Sequence, residues 1–499
     1  MTTTDAGSLE GLKLDETKVG PCNFRRMPKS GDYLVTNDIG SYVILKQPDF
    51  VAFMEGKLPE GTPLFEELKA KGFLREYLDF DALSKNWKER YAFLAEATGL
   101  HIIVVTLRCN QKCVYCQVSS VGMEKTELDM TLETADKVVD RIFETPNHGI
   151  MIEFQGGEPL VNWPVVQAII EKAEKKNVTA KKNLTIGIVS NMSLMDDAKL
   201  AYLMEHKVTF CTSLDGPPEV HEQNRLWVGG TSYGETVKWW KKIFQQTKRR
   251  RYRIDGLTTI TRASLAHPKK IVDEYIRLGA RGIYLRPLTP LGFATKTWEV
   301  IGYTPDEFLA FYRDAMDYII DLNLRNKRRR FFENMAKQFL TKILLHEEPN
   351  NLDVRSPCGA GIGQMAYNFD GSIYTCDEGR MLSRMGDESF RIGDVKSGSH
   401  VENMRHPAVR AVITASLLEG QPQCASCAYN PYDGVCPVYN YATQGDIVGR
   451  MHSNLRCHTH MGVLDYLFER IKDDEVKAVF ERWVAKGGPA IRSDIFQRN

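Results

Sequence analysis

The stretch TLRCNQKCVYCQV, residues 106–118, places Cys109, Cys113 and Cys116 within eight residues, and the apolar run HIIVVTL (101–107) leads into it. Three thiols this close are arranged to hold something. A structural zinc site takes a fourth Cys or His, and the adjacent loop offers none. A four-iron cluster on three thiolates fits the spacing better, because it leaves one iron with an open position.

The surrounding sequence says where such a loop sits. From residue 101 short apolar strands recur: HIIVVTL, IMIEFQ (150–155), LTIGIVS (184–190), VTFCTSL (208–214), IDGLTTI (254–260) and GIYLRP (282–287). Amphipathic helical stretches such as TLETADKVVDRIF (131–143) and IVDEYIRLGA (271–280) separate them. Six strands alternating with helices predict an α/β domain over residues 96–304. Its parallel sheet is curled by right-handed crossovers into a partial (βα)6 barrel. In such barrels chemistry gathers at the C-terminal ends of the strands. The three-cysteine loop leaves the first of those ends.

The other strand ends carry small polar groups. QGGEP, with Gly156, Gly157, Glu158 and Pro159, follows the second strand, and its glycines permit close backbone approach. Ser190 and Asn191 follow the third strand, Ser213 and Asp215 (in SLDG) the fourth, and Arg225 stands in HEQNR. Arg286, at the end of the sixth, faces either pocket or solvent. Together, C-x3-C-x2-C with an aromatic residue (Tyr115) before the third cysteine resembles the signature of the radical S-adenosylmethionine (SAM) enzymes. That resemblance implies a [4Fe–4S] cluster on Cys109, Cys113 and Cys116 whose open iron chelates SAM. Reductive cleavage of SAM then yields a 5′-deoxyadenosyl radical that abstracts hydrogen. It further implies that Tyr115 and Gly156–Pro159 belong to the SAM site, with Glu158 accepting from the SAM ammonium. Ser190, Asn191, Ser213 and Asp215 would serve ribose hydroxyls, and Arg225 the SAM carboxylate. Asp215 is equally suited to capping the following turn.

A second cysteine group lies downstream: Cys358, then Gly371 after twelve residues, Cys376 after four more, and Cys424, Cys427, Cys436 and Cys457. On spacing alone, C-x2-C with two further cysteines also suits a zinc ribbon. Beside the barrel motifs, the group resembles the SPASM extension of radical SAM enzymes, which implies two auxiliary iron–sulfur clusters of [4Fe–4S] type. That family has C-x2-C-x5-C-x3-C; here Asp433 stands after the five-residue gap and Cys436 follows after only two more residues. Carried over, Cys358, Cys376 and Cys436 hold an inner cluster. Cys424, Cys427 and Cys457 hold an outer one, with Asp433 as a fourth ligand or as a turn residue in PYDG. The inner set lacks a fourth cysteine, which leaves an open iron or an unidentified ligand. Asp377, next to Cys376, is the expected catalytic base for a substrate radical that must lose a proton and an electron. Cys22 and Cys211 fall outside both groups.

The remaining segments divide into a polar, disordered residues 1–20, a small module at 21–95, a helical bridge at 305–350, the cysteine-rich domain at 351–462 and C-terminal helices at 463–499. The module resembles a winged-helix-like element of peptide maturases, which implies β-addition of a precursor's leader peptide. Phrases such as IEFQGGEPL and CPVYNYATQGDIVGRM resemble the radical SAM maturase of the His-Xaa-Ser peptide system. The expected activity is therefore oxidation, by crosslinking, of a ribosomally made precursor peptide, with an external donor of flavodoxin or ferredoxin type. A sulfatase-activating type of protein oxidation is the alternative, and a non-catalytic iron–sulfur carrier a third reading. Lys and Arg number 65 against 64 Asp and Glu, so no net field favours nucleic acid or an anionic membrane. The runs KRRRYR (248–253) and NKRRR (326–330) are expected as solvated faces. Without a signal or spanning segment the chain is expected to be cytoplasmic, where eleven cysteines indicate metal or catalysis over disulfides.

Overall fold

The computed structural model describes residues 11–247, 254–352 and 354–485. The KRRRYR run and the first ten residues lie outside them, and Asn326–Arg328 of the other basic run are exposed. The N-terminal module is a three-stranded antiparallel sheet, β1 (Asn23–Arg26), β2 (Tyr33–Thr36) and β3 (Tyr42–Leu45), followed by helices Gln47–Met54, Pro63–Ala70 and Phe80–Arg90. Alternation along β2 serves two cores. Tyr33 and Val35 pack with Phe50, Phe53, Leu68 and Phe73 inside the module, while Leu34 joins the core of the main body. Residues 11–20 correct the expectation of disorder: Val19 is buried in the module core, and Gly20 N donates to Phe73 O (2.8 Å).

The six strands read from the sequence are all present: β4 (Leu100–Val104), β5 (Gly149–Gln155), β6 (Asn183–Ser190), β7 (Thr209–Ser213), β8 (Ile254–Thr259) and β9 (Leu285–Arg286). They lie in chain order and each neighbouring pair is parallel. Helices Leu132–Phe143, Trp163–Ala180, Asp197–Glu205, Ser232–Gln246 and Pro268–Arg277 form the crossovers. The strands are apolar on both faces, as helix-covered parallel strands must be; β4 is buried throughout.

The sheet does not stop at the barrel. Gln364–Tyr367 (β10) adds in parallel beside β4, and β11 (Ser372–Tyr374) and β12 (Arg391–Asp394) continue it antiparallel, giving nine strands. The cysteine-rich region therefore grows out of the barrel sheet, and Cys376 leaves the end of β11. Helix Pro305–Arg325 opens on a Thr304–Glu307 capping box and packs against helices Leu455–Ile471 and Asp474–Val484. No helix of the described residues is long and apolar enough to cross a membrane.

Candidate active site

One cavity of about 400 Å³ gathers the strand ends. Gln155, Ser190, Ser213, Thr259 and Arg286 line it from β5 to β9, so the parallel sheet wraps around it. Arg286 thus faces the pocket. Cys109, Cys113, Tyr115 and Cys116 form one wall; Cys358, Cys376, Asp377 and Cys436 form another.

The glycines of QGGEP line the cavity and also let the backbone pass close to the cysteine loop. A Cβ on Gly156 would lie 2.3 Å from Thr106 O, and one on Gly157 would lie 2.2 Å from Arg108 O. The close approach is to the cysteine loop itself: Gly157 N donates to Thr106 O (2.9 Å) and Glu158 N to Arg108 O (2.8 Å). Gly156 also needs its positive φ of 139°. Glu158 then turns into the interior, where its carboxylate accepts from Ser190 Oγ (2.8 Å), Asn191 N (2.8 Å) and Leu160 N (3.1 Å). Burial raises its pKa to about 7 despite these donors. Three acceptor positions are filled, and a carboxylate has about four. Pro159 begins a short 3-10 turn and does not line the cavity.

Asp215 departs from the expected ribose contact. Asp215 is fully buried and off the cavity wall. It pairs with Arg225 through Nε (3.1 Å) and Nη2 (3.3 Å) and accepts from Tyr115 Oη (2.7 Å) and Thr259 N (3.1 Å). The geometry replaces the expected ribose contact with a positioning role that ties the cysteine loop to β8. Arg225 reaches the cavity, pairs with Asp215, and its Nη1 donates to Cys113 Sγ (3.7 Å). Burial opposes its charge, but Asp215, Tyr115 and Cys113 more than offset that and raise its pKa. Asn191 Nδ2 donates to Cys109 Sγ (3.8 Å) and Asn110 Oδ1 (3.1 Å), placing Asn191 on the cysteine loop.

In the C-terminal region the two expected sets separate in space. Burial and then Glu378, Cys436 and Cys358 raise the Cys376 thiol, so Cys358, Cys376 and Cys436 are neighbours. Cys424, pushed up to about 12 by burial and then Asp433 and Cys427, and Cys457, raised by burial and then Asp433, Cys424 and Cys427, define the other. Asp433 is half-buried, and its Oδ1 accepts from Gly434 N (2.7 Å) and meets His460 Nδ1 (2.6 Å). Burial opposes its ionisation, but His460 more than offsets this and holds its pKa below the ordinary carboxylate value. Asp377 accepts from Arg380 Nε (2.8 Å), and Arg380 is fully buried. Cys211 is buried in β7 as core, and Cys22 packs partly buried in the N-terminal module.

Residues 103–275 match the Radical SAM superfamily. The cysteine-type anaerobic sulfatase-maturating enzyme of Clostridium perfringens (strain 13 / Type A) is 26% identical over 380 residues, covering 73% of this chain and 94% of that enzyme. Native anSMEcpe with bound AdoMet and Cp18Cys peptide superposes with a TM-score of 0.63 at 21% identity, over 76% of this chain and 99% of that one. Streptococcus suis SuiB bound to precursor peptide SuiA gives 0.52 at 14%, over 87% and 98%.

Residues 103–275 form a radical SAM domain. The match over these residues calls for SAM and a [4Fe–4S] cluster on cysteines, and the donor set fits that demand. Cys109 Sγ accepts from Gln111 N (3.4 Å), Cys113 Sγ from Arg225, and Cys116 Sγ meets Ser120 Oγ (3.4 Å), so each sulfur has a donor suited to an anionic thiolate. Burial, then neighbouring charge, raises Cys109, while Cys113 is pushed up to about 12 by burial. Buried thiols of this kind ionise when a cation shares the site. Among the described residues no group of three or more His, Cys, Asp or Glu is placed to hold a single metal ion. The radical SAM domain also has a neighbour that sequence reading missed. His460 links Asp433 to the cavity wall, one helical turn after Cys457. The i, i+3 spacing of Cys457 and His460 was the available signal.

Proposed function

We propose that this radical SAM protein oxidises a ribosomally made precursor peptide, forming a crosslink. The observation that carries the reading is the shared cavity: the Cys109–Cys113–Cys116 loop and Asp377 line one space. A substrate lying there meets both the hydrogen-abstracting end and a base. SAM on a cluster held by Cys109, Cys113 and Cys116 would supply the 5′-deoxyadenosyl radical, and clusters on the two C-terminal sets an electron acceptor. Glu158 orients SAM, with Ser190 and Asn191 fixing that carboxylate. Asp377 takes the substrate proton, held in place by Arg380. The N-terminal module offers β-sheet edges for an extended leader. An external flavodoxin- or ferredoxin-type protein supplies electrons. Among relatives, the His-Xaa-Ser maturase type is the subgroup we assign.

The test is anaerobic incubation of the reduced, reconstituted protein with SAM and a small peptide encoded beside it, followed by mass spectrometry. Production of 5′-deoxyadenosine with loss of two hydrogens from the peptide is expected. Cleavage of SAM without any change in the peptide would exclude that peptide as substrate. A second reading, oxidation of a residue in a sulfatase-like protein, draws support from the match over 94% of a sulfatase-maturating enzyme. Conversion of a sulfatase-derived peptide, with the encoded peptide untouched, would favour it.

A further inference from the structure

Three residues separate Cys109 from Cys113, and their side chains are disposed in three different ways. Asn110 is held by its neighbours: its Nδ2 donates to Ser193 Oγ (2.7 Å) and its Oδ1 accepts from Asn191 Nδ2 (3.1 Å). Lys112 is exposed to solvent. Gln111 is only 1% exposed and lines the cavity together with Cys109, Cys113 and Cys116. Among the described residues it has no hydrogen-bond partner at Oε1 or at Nε2, and no other Asn or Gln has both amide atoms buried and unpartnered. Its place against the thiols is fixed by its own backbone, whose N–H donates to Cys109 Sγ (3.4 Å).

A buried amide with neither end used is costly, and native interiors leave few such groups. A Leu or Met would fill the same place without burying orphaned polar atoms, so stability alone does not call for Gln. Whichever way the amide is turned, it presents two N–H donors. The sulfurs of an iron–sulfur cluster accept hydrogen bonds and donate none. Resting on the reading that Cys109, Cys113 and Cys116 hold a [4Fe–4S] cluster, and on nothing about the peptide, we propose that Gln111 is a positioning residue for that cluster. Its Nε2 donates to one of the cluster's sulfurs. A hydrogen bond to sulfur disperses the charge gained on reduction, so it raises the midpoint potential. Gln111 thereby eases uptake of the electron on which SAM cleavage depends.

The experiment compares full-length, anaerobically reconstituted protein with Q111L and Q111M, which carry apolar side chains of similar size. In the reduced protein, addition of SAM identifies the barrel-mouth cluster's electron paramagnetic resonance signal as the one that changes. That signal is then titrated potentiometrically without SAM. Both variants should show its midpoint shifted to lower potential, with the other signals in place. Urea denaturation of the cluster-free proteins should give midpoints equal to or above the parent's, since an amide without partners has none to lose. Failure of both variants to hold that cluster, at unchanged cluster-free stability, would be the same dependence in a stronger form. An unchanged potential would overturn the donation to sulfur. So would a lowered urea midpoint, which would show that the amide serves the protein instead. A parent without any SAM-responsive signal would remove the cluster reading, and the proposal with it.

Discussion

The two cysteine-bearing walls of the cavity are built in opposite ways. The barrel-mouth loop draws Cys109, Cys113 and Cys116 from eight consecutive residues, and the fold's task is to brace that loop. Glycine 156 and 157 let QGGEP pass against it, and the buried Asp215–Arg225–Tyr115 group pins it from the far side. The other wall collects its inner trio from residues 358, 376 and 436, that is, from a loop, a strand end and a helix start. There the fold itself brings the ligands together. A contiguous site tolerates no loss of a ligand but forms locally. A dispersed site depends on docking between distant segments.

The largest effect is expected at the contiguous site. Cys113→Ala should reduce SAM cleavage by dithionite-treated protein to the rate seen without protein, measured as 5′-deoxyadenosine. In the outer set behind the dispersed wall, Cys424→Ala should leave SAM cleavage in place and impair product. Equal loss of cleavage in both variants would erase the contrast drawn between the walls.

Asp377→Asn comes next. It should lower product formation about 10²- to 10⁴-fold, the range for a lost general base, while 5′-deoxyadenosine still accumulates. Cleavage and product falling together would instead place Asp377 in the SAM half of the reaction.

The contrast also explains what could be read in advance. The cysteine loop, the six parallel strands and the grouping of the C-terminal cysteines were legible because each is local: a spacing, an apolar run, an alternation with helices. The roles of Asp215 and the QGGEP glycines were not, since spacing cannot tell a ligand-facing residue from one that faces another loop. Asp215 ends its strand as Ser190 and Asn191 end theirs, yet only its burial against Arg225 shows what it holds. Strands β10 to β12 escaped notice because they are three or four residues long, and β10 joins them to β4 across about 260 residues of chain. His460 acquires its partner only when Asp433, 27 residues away, arrives beside it.

Bracing of the contiguous loop predicts a stability effect. Asp215→Ala leaves the Arg225 guanidinium buried without its carboxylate, a change that costs about 3–5 kcal/mol. Anaerobic urea denaturation of the cluster-free protein reads it. A midpoint equal to that of the parent would show that the pair braces nothing.

The smallest effect belongs to the docking of the outer set. The loop carrying Cys424, Cys427 and Asp433 is fastened to the N-terminal module: Asn23 Nδ2 donates to Ala425 O and Cys427 O (3.3 Å each), Thr36 Oγ1 to Ala428 O (2.8 Å), and Tyr432 Oη to Gly40 O (3.0 Å). Arg25 of β1 makes a two-pronged pair with Asp465 (2.9 Å each), which also accepts from Tyr429 Oη (2.5 Å). Because both charges keep partial contact with solvent, Arg25→Met should cost only about 1 kcal/mol of global stability. Its consequence should be local: Tyr429 N caps Cys427 Sγ (3.4 Å), so loosening this joint should slow iron loading of the outer set and spare the barrel loop. Iron uptake followed in the C109A/C113A/C116A background, beside SAM cleavage in the otherwise intact Arg25→Met protein, separates the two. Slower uptake with unchanged cleavage is the expected pair of results, and it would make the N-terminal module a structural part of the outer cluster's cage. Unchanged uptake would show that this joint plays no part in loading the outer set.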